Sequence, residues 1–211
     1  MTLVWLSIRG VLPACIKDVL NISLCTSRAF AQAHRRNWRG NGKTPDGIHK
    51  KTDTNPGDGT SCDHLVSQHA GLIPQSICIL TYVRFWGSVI YVDHFSDFIY
   101  SHLIKGTTSA DTLESKYGYE REVADYSIKV KACHANNLCF SDNNFIGNCI
   151  NHNQKITFYG VGAHRQNAVV KSKIKELSNG ARTVLLHAKR KRPEVITTIL
   201  WPFAFCSRTP Q

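Results

Sequence analysis

At 211 residues and 42% hydrophobic content, the chain can bury one ordinary core and is too apolar to be a disordered polymer. A net charge of +11 excludes a strongly acidic surface and points to a polyanionic partner. Nucleic acid is the commonest such partner, and a merely soluble basic protein has the same composition.

Eight scattered cysteines, behind an N-terminus without a basic leader, read as reduced thiols. The stretch GLIPQSICILTYV (71–83) is too short to span a bilayer and contains Pro74. The expectation is an intracellular protein, nuclear or cytoplasmic, with no membrane partner.

Along the chain, residues 1–27 carry no clear period. Residues 28–59 mix seven basic residues with Gly and Pro, which predicts a basic, flexible linker with one short ordered piece around Trp38. Within it, HRRNWRGNGK (34–43) sets Arg35, Arg36, Trp38 and Arg39 together. That cluster is either a phosphate-tracking segment with an indole to stack on a base, or a solvated linker with its tryptophan on the core. From Thr60 the pattern becomes regular. TSCDHLVS predicts a short strand, and RFWGSVIYVDHFSDFIYSHLI (84–104) predicts two more, broken at DHFSD. SADTLESKYGYEREVADY (109–126) reads as an exposed helix with Ser109 at its N-cap. SIKVKACH (127–134) alternates like a half-buried strand, an ill-defined helical or loop segment follows, and KITFYG (155–160) is a further strand. A helical pattern then occupies about 164–190. Three strands, helix, strand, undefined segment, strand, helix is the order of an α/β sheet covered by helices.

The last helix can be resolved into faces. At ~100° per residue, Lys171, Lys175, Arg182 and Lys189 share one stripe. Val170, Ile174, Leu177, Ala181, Leu185 and Ala188 form an apolar stripe beside it. The turn signal SNG at 178–180 is the place where this helix is expected to break.

Four segments in this order, CDHLVS, VIYVDHFSDF, KVKACHANN and GVGAHRQNAVVKSKIKEL, resemble the catalytic core of Copia-type retrotransposon integrases. The resemblance covers about residues 60–205. It implies an RNase H-like fold, a five-stranded mixed sheet with helices on both faces. Residues 1–59 would then be a degenerate zinc-module remnant and basic linker, and 206–211 a tail.

The family's chemistry uses an Asp, Asp, Glu triad that holds Mg²⁺ or Mn²⁺ for attack on a phosphodiester. Carried over position by position, the first carboxylate matches Asp63. The second falls at Asn136 in HANN, and the third at Lys171 in QNAVVK. From 136 to 171 is 35 positions, close to the family's usual separation; the competing register through Asp142 leaves 29. Glu176 is rotated by about 140° from Lys171 on a helix and does not replace the missing glutamate. The resemblance therefore implies an inactive copy, with no cofactor expected beyond a weak Mg²⁺ candidate at Asp63. Lys171 either contacts a nucleic-acid backbone directly or is neutral drift.

Gln166 and Asn167 would lie beside this slot, where they either touch phosphate or cap the helix. With Lys171, Lys175 and Arg182 they complete the predicted nucleic-acid contacts. Asp93 and Asp97 read as structural, and His94 and His134 as strand-end residues. Cys25 is the remnant of a zinc ligand pair in which Arg28 stands at the other position; the alternative is a makeshift site of Cys15, Cys25, His34 and His49.

Three readings remain. The first is a silenced integrase core that still binds DNA, the second an active metal-dependent nuclease or strand transferase using Asp63 and Asp142. The third is a partner module that forms homo-oligomers, or hetero-oligomers with intact integrases.

Overall fold

The computed structural model describes residues 26–32, 53–73, 83–159 and 167–208. Five strands build one sheet: β1 (Thr60–Gly71), β2 (Phe85–Asp93), β3 (Ile99–Ile104), β4 (Ala132–Ala135) and β5 (Lys155–Phe158). Their spatial order is β3-β2-β1-β4-β5. β1, β2 and β3 pair antiparallel, whereas β4 runs parallel to β1 and β5 parallel to β4. The sheet is thus mixed, as expected.

The strand periodicity decides which side chain enters which layer. In β2 the run Val89-Ile90-Tyr91-Val92 is fully buried, the pattern of a strand covered on both faces. Val89 and Tyr91 enter one core, with Tyr119 and Val123 of helix α2 (Ser109–Ala124) and Phe145 and Cys149 of helix α3 (Asn143–Asn151). Ile90 and Val92 enter the other, with Val170, Leu177 and Ala181 of helix α4 (Ala168–Lys191) and Phe205 of helix α5 (Trp201–Cys206). Helices therefore cover both faces.

Several boundaries differ from the sequence reading. β1 extends to Gly71 because β2 pairs along its length, with a register shift between Val66 and Gly71. The N-cap of α2 is Thr108, not Ser109: Thr108 has extended backbone, and its hydroxyl accepts the Asp111 N–H at 3.1 Å. The strand expected over 127–134 is observed at Ala132–Ala135, and Ser127, with a positive φ of 59°, belongs to the turn that follows α2. The undefined segment is a 3-10 turn, Cys139–Ser141, followed by α3. α4 runs unbroken through Ser178–Gly180, since Leu177 and Ala181 on either side are anchored in the core. Tertiary packing outweighs a local cost of about 1 kcal/mol for a helical glycine.

Two pieces of the stretch expected as linker are ordered. Helix α1 (Thr26–Gln32) packs along α4, where the Arg182 guanidinium donates to Ala31 O at 3.4 Å and Arg190 to Thr26 Oγ1 at 3.1 Å. The turn at 53–59 is tied to the sheet: Gly57 N–H donates to Asp93 Oδ1 at 2.8 Å, and Gly57 O accepts from Lys131 N–H at 2.8 Å. Gly57 has φ +85°, and a Cβ there would lie 2.4 Å from Lys129 O, so glycine is required.

Gly118, in the middle of α2, is a close-approach glycine of another kind. A Cβ on it would lie 2.5 Å from Tyr100 Oη and 3.1 Å from His102 Nδ1 on β3. Gly118→Ala is expected to lower stability in urea titration: an overpacking cost of about 1–3 kcal/mol exceeds the propensity gain of about 1 kcal/mol.

Candidate functional site

Cys62 points into the first core, so its neighbour Asp63 points to the opposite face, beneath α4. Parallel pairing aligns Cys62 with Ala135. The next position in that register sets Asn136, one residue past the end of β4, beside Asp63, where its side chain favours the charged form of the Asp63 carboxylate. α4 begins directly over the pair. The Asn167 amide donates to Asp63 Oδ2 at 3.1 Å and to Cys62 O at 3.4 Å. One turn later comes Lys171, whose positive charge acts on Asp63.

Asp63 is only 6% exposed. Burial raises its carboxyl pKa above the ordinary range, opposed by its contact with the His64 N–H, the Lys171 charge and the amides of Asn136 and Asn167. Both oxygens are occupied by donors, since Oδ1 accepts the His64 N–H at 2.9 Å and Oδ2 accepts from Asn167. One carboxylate ringed by amides and an ammonium is a poor match for Mg²⁺, which takes anionic oxygen ligands. Among the described residues no group of three or more His, Cys, Asp or Glu is arranged to hold a metal.

Asn167 differs from both sequence readings. It is 2% exposed and makes no side-chain cap on α4. Its Oδ1 instead accepts from Tyr159 Oη at 2.7 Å, so the residue clamps the start of α4 onto β1 and β5. A buried amide must find its partners internally, which removes it from the solvent-facing phosphate contacts.

The structure sets Asp142 at the start of α3, where its carboxylate caps Asn144 N–H at 2.9 Å. That helix packs on the sheet face opposite to the one Asp63 faces. Lys175 and Arg182 lie exposed on α4. Arg35, Arg36, Trp38, Arg39, Gln166 and Cys25 fall outside the described residues, as do Cys15, His34 and His49. Among the described residues, Cys62, Cys133, Cys139 and Cys149 are free thiols.

Sequence reasoning missed a polar relay next to the site. Ser61 Oγ lies 2.7 Å from His94 Nε2, and His94 Nδ1 lies 3.0 Å from Asp53 Oδ2. The order resembles an acyl-transfer relay, but Ser61 is 2% exposed and leaves a substrate no approach. Counting back two residues from Asp63 would have placed Ser61 on the same face. Asp93, read as structural, anchors the turn: its Oδ2 accepts from Ser96 N–H at 2.8 Å and Ser96 Oγ at 2.6 Å.

His64, on the opposite face, faces Thr112 Oγ1 at 3.0 Å and packs on Phe140 at 4.6 Å between ring centroids. Burial lowers its pKa to about 4. The unfolded chain binds a proton there below about 6.5 that the fold resists, so stability is lost as pH falls from 6.5 toward 4. His64→Gln is expected to flatten the pH dependence of the urea midpoint in that window.

The fold is similar to that of a chain in the cryoEM structure of the simian T-cell lymphotropic virus intasome in complex with PP2A regulatory subunit B56 gamma. The TM-score is 0.51 at 12% identity, covering 72% of this chain and 48% of that one. This is an RNase H-like fold, a five-stranded mixed sheet with helices on both faces. The chain spans about half the length of that neighbour. Two structures of the HTLV-2 integrase catalytic core domain in complex with magnesium also match over 72% of this chain at 14% identity. The dimeric form has a TM-score of 0.48 over 86% of its chain, and the trimeric form 0.49 over 82%. No family model and no curated protein matches the sequence. Among the described residues no helix is long and apolar enough to cross a membrane.

Proposed function

We propose that the chain is a Copia-type retrotransposon integrase core that has lost its catalytic triad and retains nucleic-acid binding. The observation that carries this reading is the environment of Asp63. An amide from Asn136 and the charge of Lys171 act on the one carboxylate that remains, at the two positions where the family resemblance calls for carboxylates. The three positions sum to zero charge instead of minus three. The net charge of +11 supports a polyanionic partner. Association with itself or with an intact integrase belongs to the same reading and is checked by sedimentation of the chain alone and in mixture.

The deciding experiment is metal-dependent nicking and strand transfer on short duplex DNA by the chain and by an Asn136→Asp, Lys171→Glu variant. Cutting by the variant alone supports the reading. Cutting by the unmodified chain overturns it in favour of the Asp142 register.

A further inference from the structure

A cleft of about 450 Å³ opens along α4, and Asp63 is not on its lining. Its cations come from three separate elements: Arg28 from α1, Lys175 from α4 and Arg208 from the turn after α5. Glu176 is the acidic residue on its lining, and it is 3.5 Å from Lys173. Ser172 and Thr183 also line the cleft, and the Thr183 hydroxyl donates to Asn179 O at 2.8 Å. Gly180 lines the cleft beside Arg208: a Cβ there would lie 2.8 Å from Arg208 Nε, so the Arg208 side chain would have to shift to accept one. α1 is docked by the Arg182 and Arg190 hydrogen bonds, which brings Arg28 to the same rim.

We propose that this cleft binds the phosphodiester backbone of nucleic acid through Arg28, Lys175 and Arg208. The inference deepens the nucleic-acid-binding reading and rests on it. Three cations lining one cleft suit a phosphate oxyanion, and guanidinium forks match its geometry. Lys175 lies one turn beyond Lys171, about 6 Å along the axis. A backbone entering at the Asp63 slot therefore continues into the cleft without leaving α4. The contacts are to phosphate, so they position the strand and carry no base preference.

The test is fluorescence anisotropy of the full chain on a short duplex across a KCl series, comparing it with Arg28→Gln/Arg208→Gln. A salt slope of about 0.9 per phosphate contact makes each lost contact worth about eightfold in affinity at 0.1 M salt. The double variant is expected to lose about 1.8 from the slope, equally on unrelated sequences, and Glu176→Gln to bind more tightly than the unmodified chain.

Gly180→Ala keeps every charge and should still weaken binding by displacing Arg208, which covers the case in which the double variant does not fold. Unchanged affinity and slope in the folded double variant, or in Gly180→Ala, overturn the cleft while leaving the nucleic-acid reading in place. Absence of DNA binding by the unmodified chain overturns both. Displacement of the duplex by inorganic phosphate at matched ionic strength reassigns the cleft to a small phosphate compound. Equal displacement by polyglutamate reassigns it to an acidic protein.

Discussion

The Asn136→Asp, Lys171→Glu variant is expected to nick and join duplex DNA in Mg²⁺ or Mn²⁺, where the unmodified chain does neither. An ammonium about 4 Å from a divalent ion at an effective dielectric near 20 repels it by about 8 kcal/mol. One carboxylate and two amides cannot offset that. Reversal changes the summed charge at the three positions from zero to minus three and frees Asp63 from its cationic neighbour. The same three carboxylates should repel one another when no metal is bound. The variant is therefore expected to melt below the unmodified chain in chelator and to recover with added metal, as binding to the folded state alone requires. A melting temperature indifferent to metal would count against the triad positions, whatever the nicking result.

A comparably large effect is expected far from the site. Lys116 on α2 is 1% exposed and sits among the residues of the first core. Its ammonium donates to Glu120 Oε1 at 2.7 Å and to Asn148 Oδ1 at 2.7 Å, which ties α2 to α3. Gln154 donates to the same Glu120 oxygen, and Asn148 Nδ2 donates to Tyr117 Oη at 2.8 Å. Glu120→Ala leaves a buried cation with an amide as its only hydrogen-bond partner in this network, and should cost about 3–5 kcal/mol. Lys116→Met removes the charge as well as its partner contacts. It is expected to cost less, because a similar volume stays filled and Glu120, 20% exposed, can reach water. Urea titrations of both single variants and the double measure this; equal losses in the two singles would mean that the charge pair is not what matters.

The fold was legible in the sequence where periodicity was strong. The stretch 84–104 read as two strands broken at DHFSD and is two strands, and the apolar stripe of the last helix met the core at Val170, Leu177 and Ala181 as drawn. The stretch at 28–59 was misread in part, because a seven-residue helix has little periodicity of its own. What holds α1 is the packing of Ser27 and Ala31 against α4, and no local signal shows that. The expected break at SNG did not occur because anchors on both sides outweigh one glycine. The site was legible only as a set of positions. The family resemblance gave Asp63, Asn136 and Lys171, but not the clamp made by Asn167 or the Ser61–His94–Asp53 relay, whose members lie far apart in sequence.

By itself, the sequence determined the chemistry available here: one carboxylate, one amide and one ammonium in a basic chain. Covalent identity is not altered by folding, so these three residue types were readable without coordinates. Only the tertiary structure decided that the three meet. Parallel pairing of β1 with β4 carries Asn136 to Asp63, and the seating of α4 brings Asn167 and Lys171 over both. Burial then raises the one carboxyl's pKa, an effect that exists only where water has been excluded.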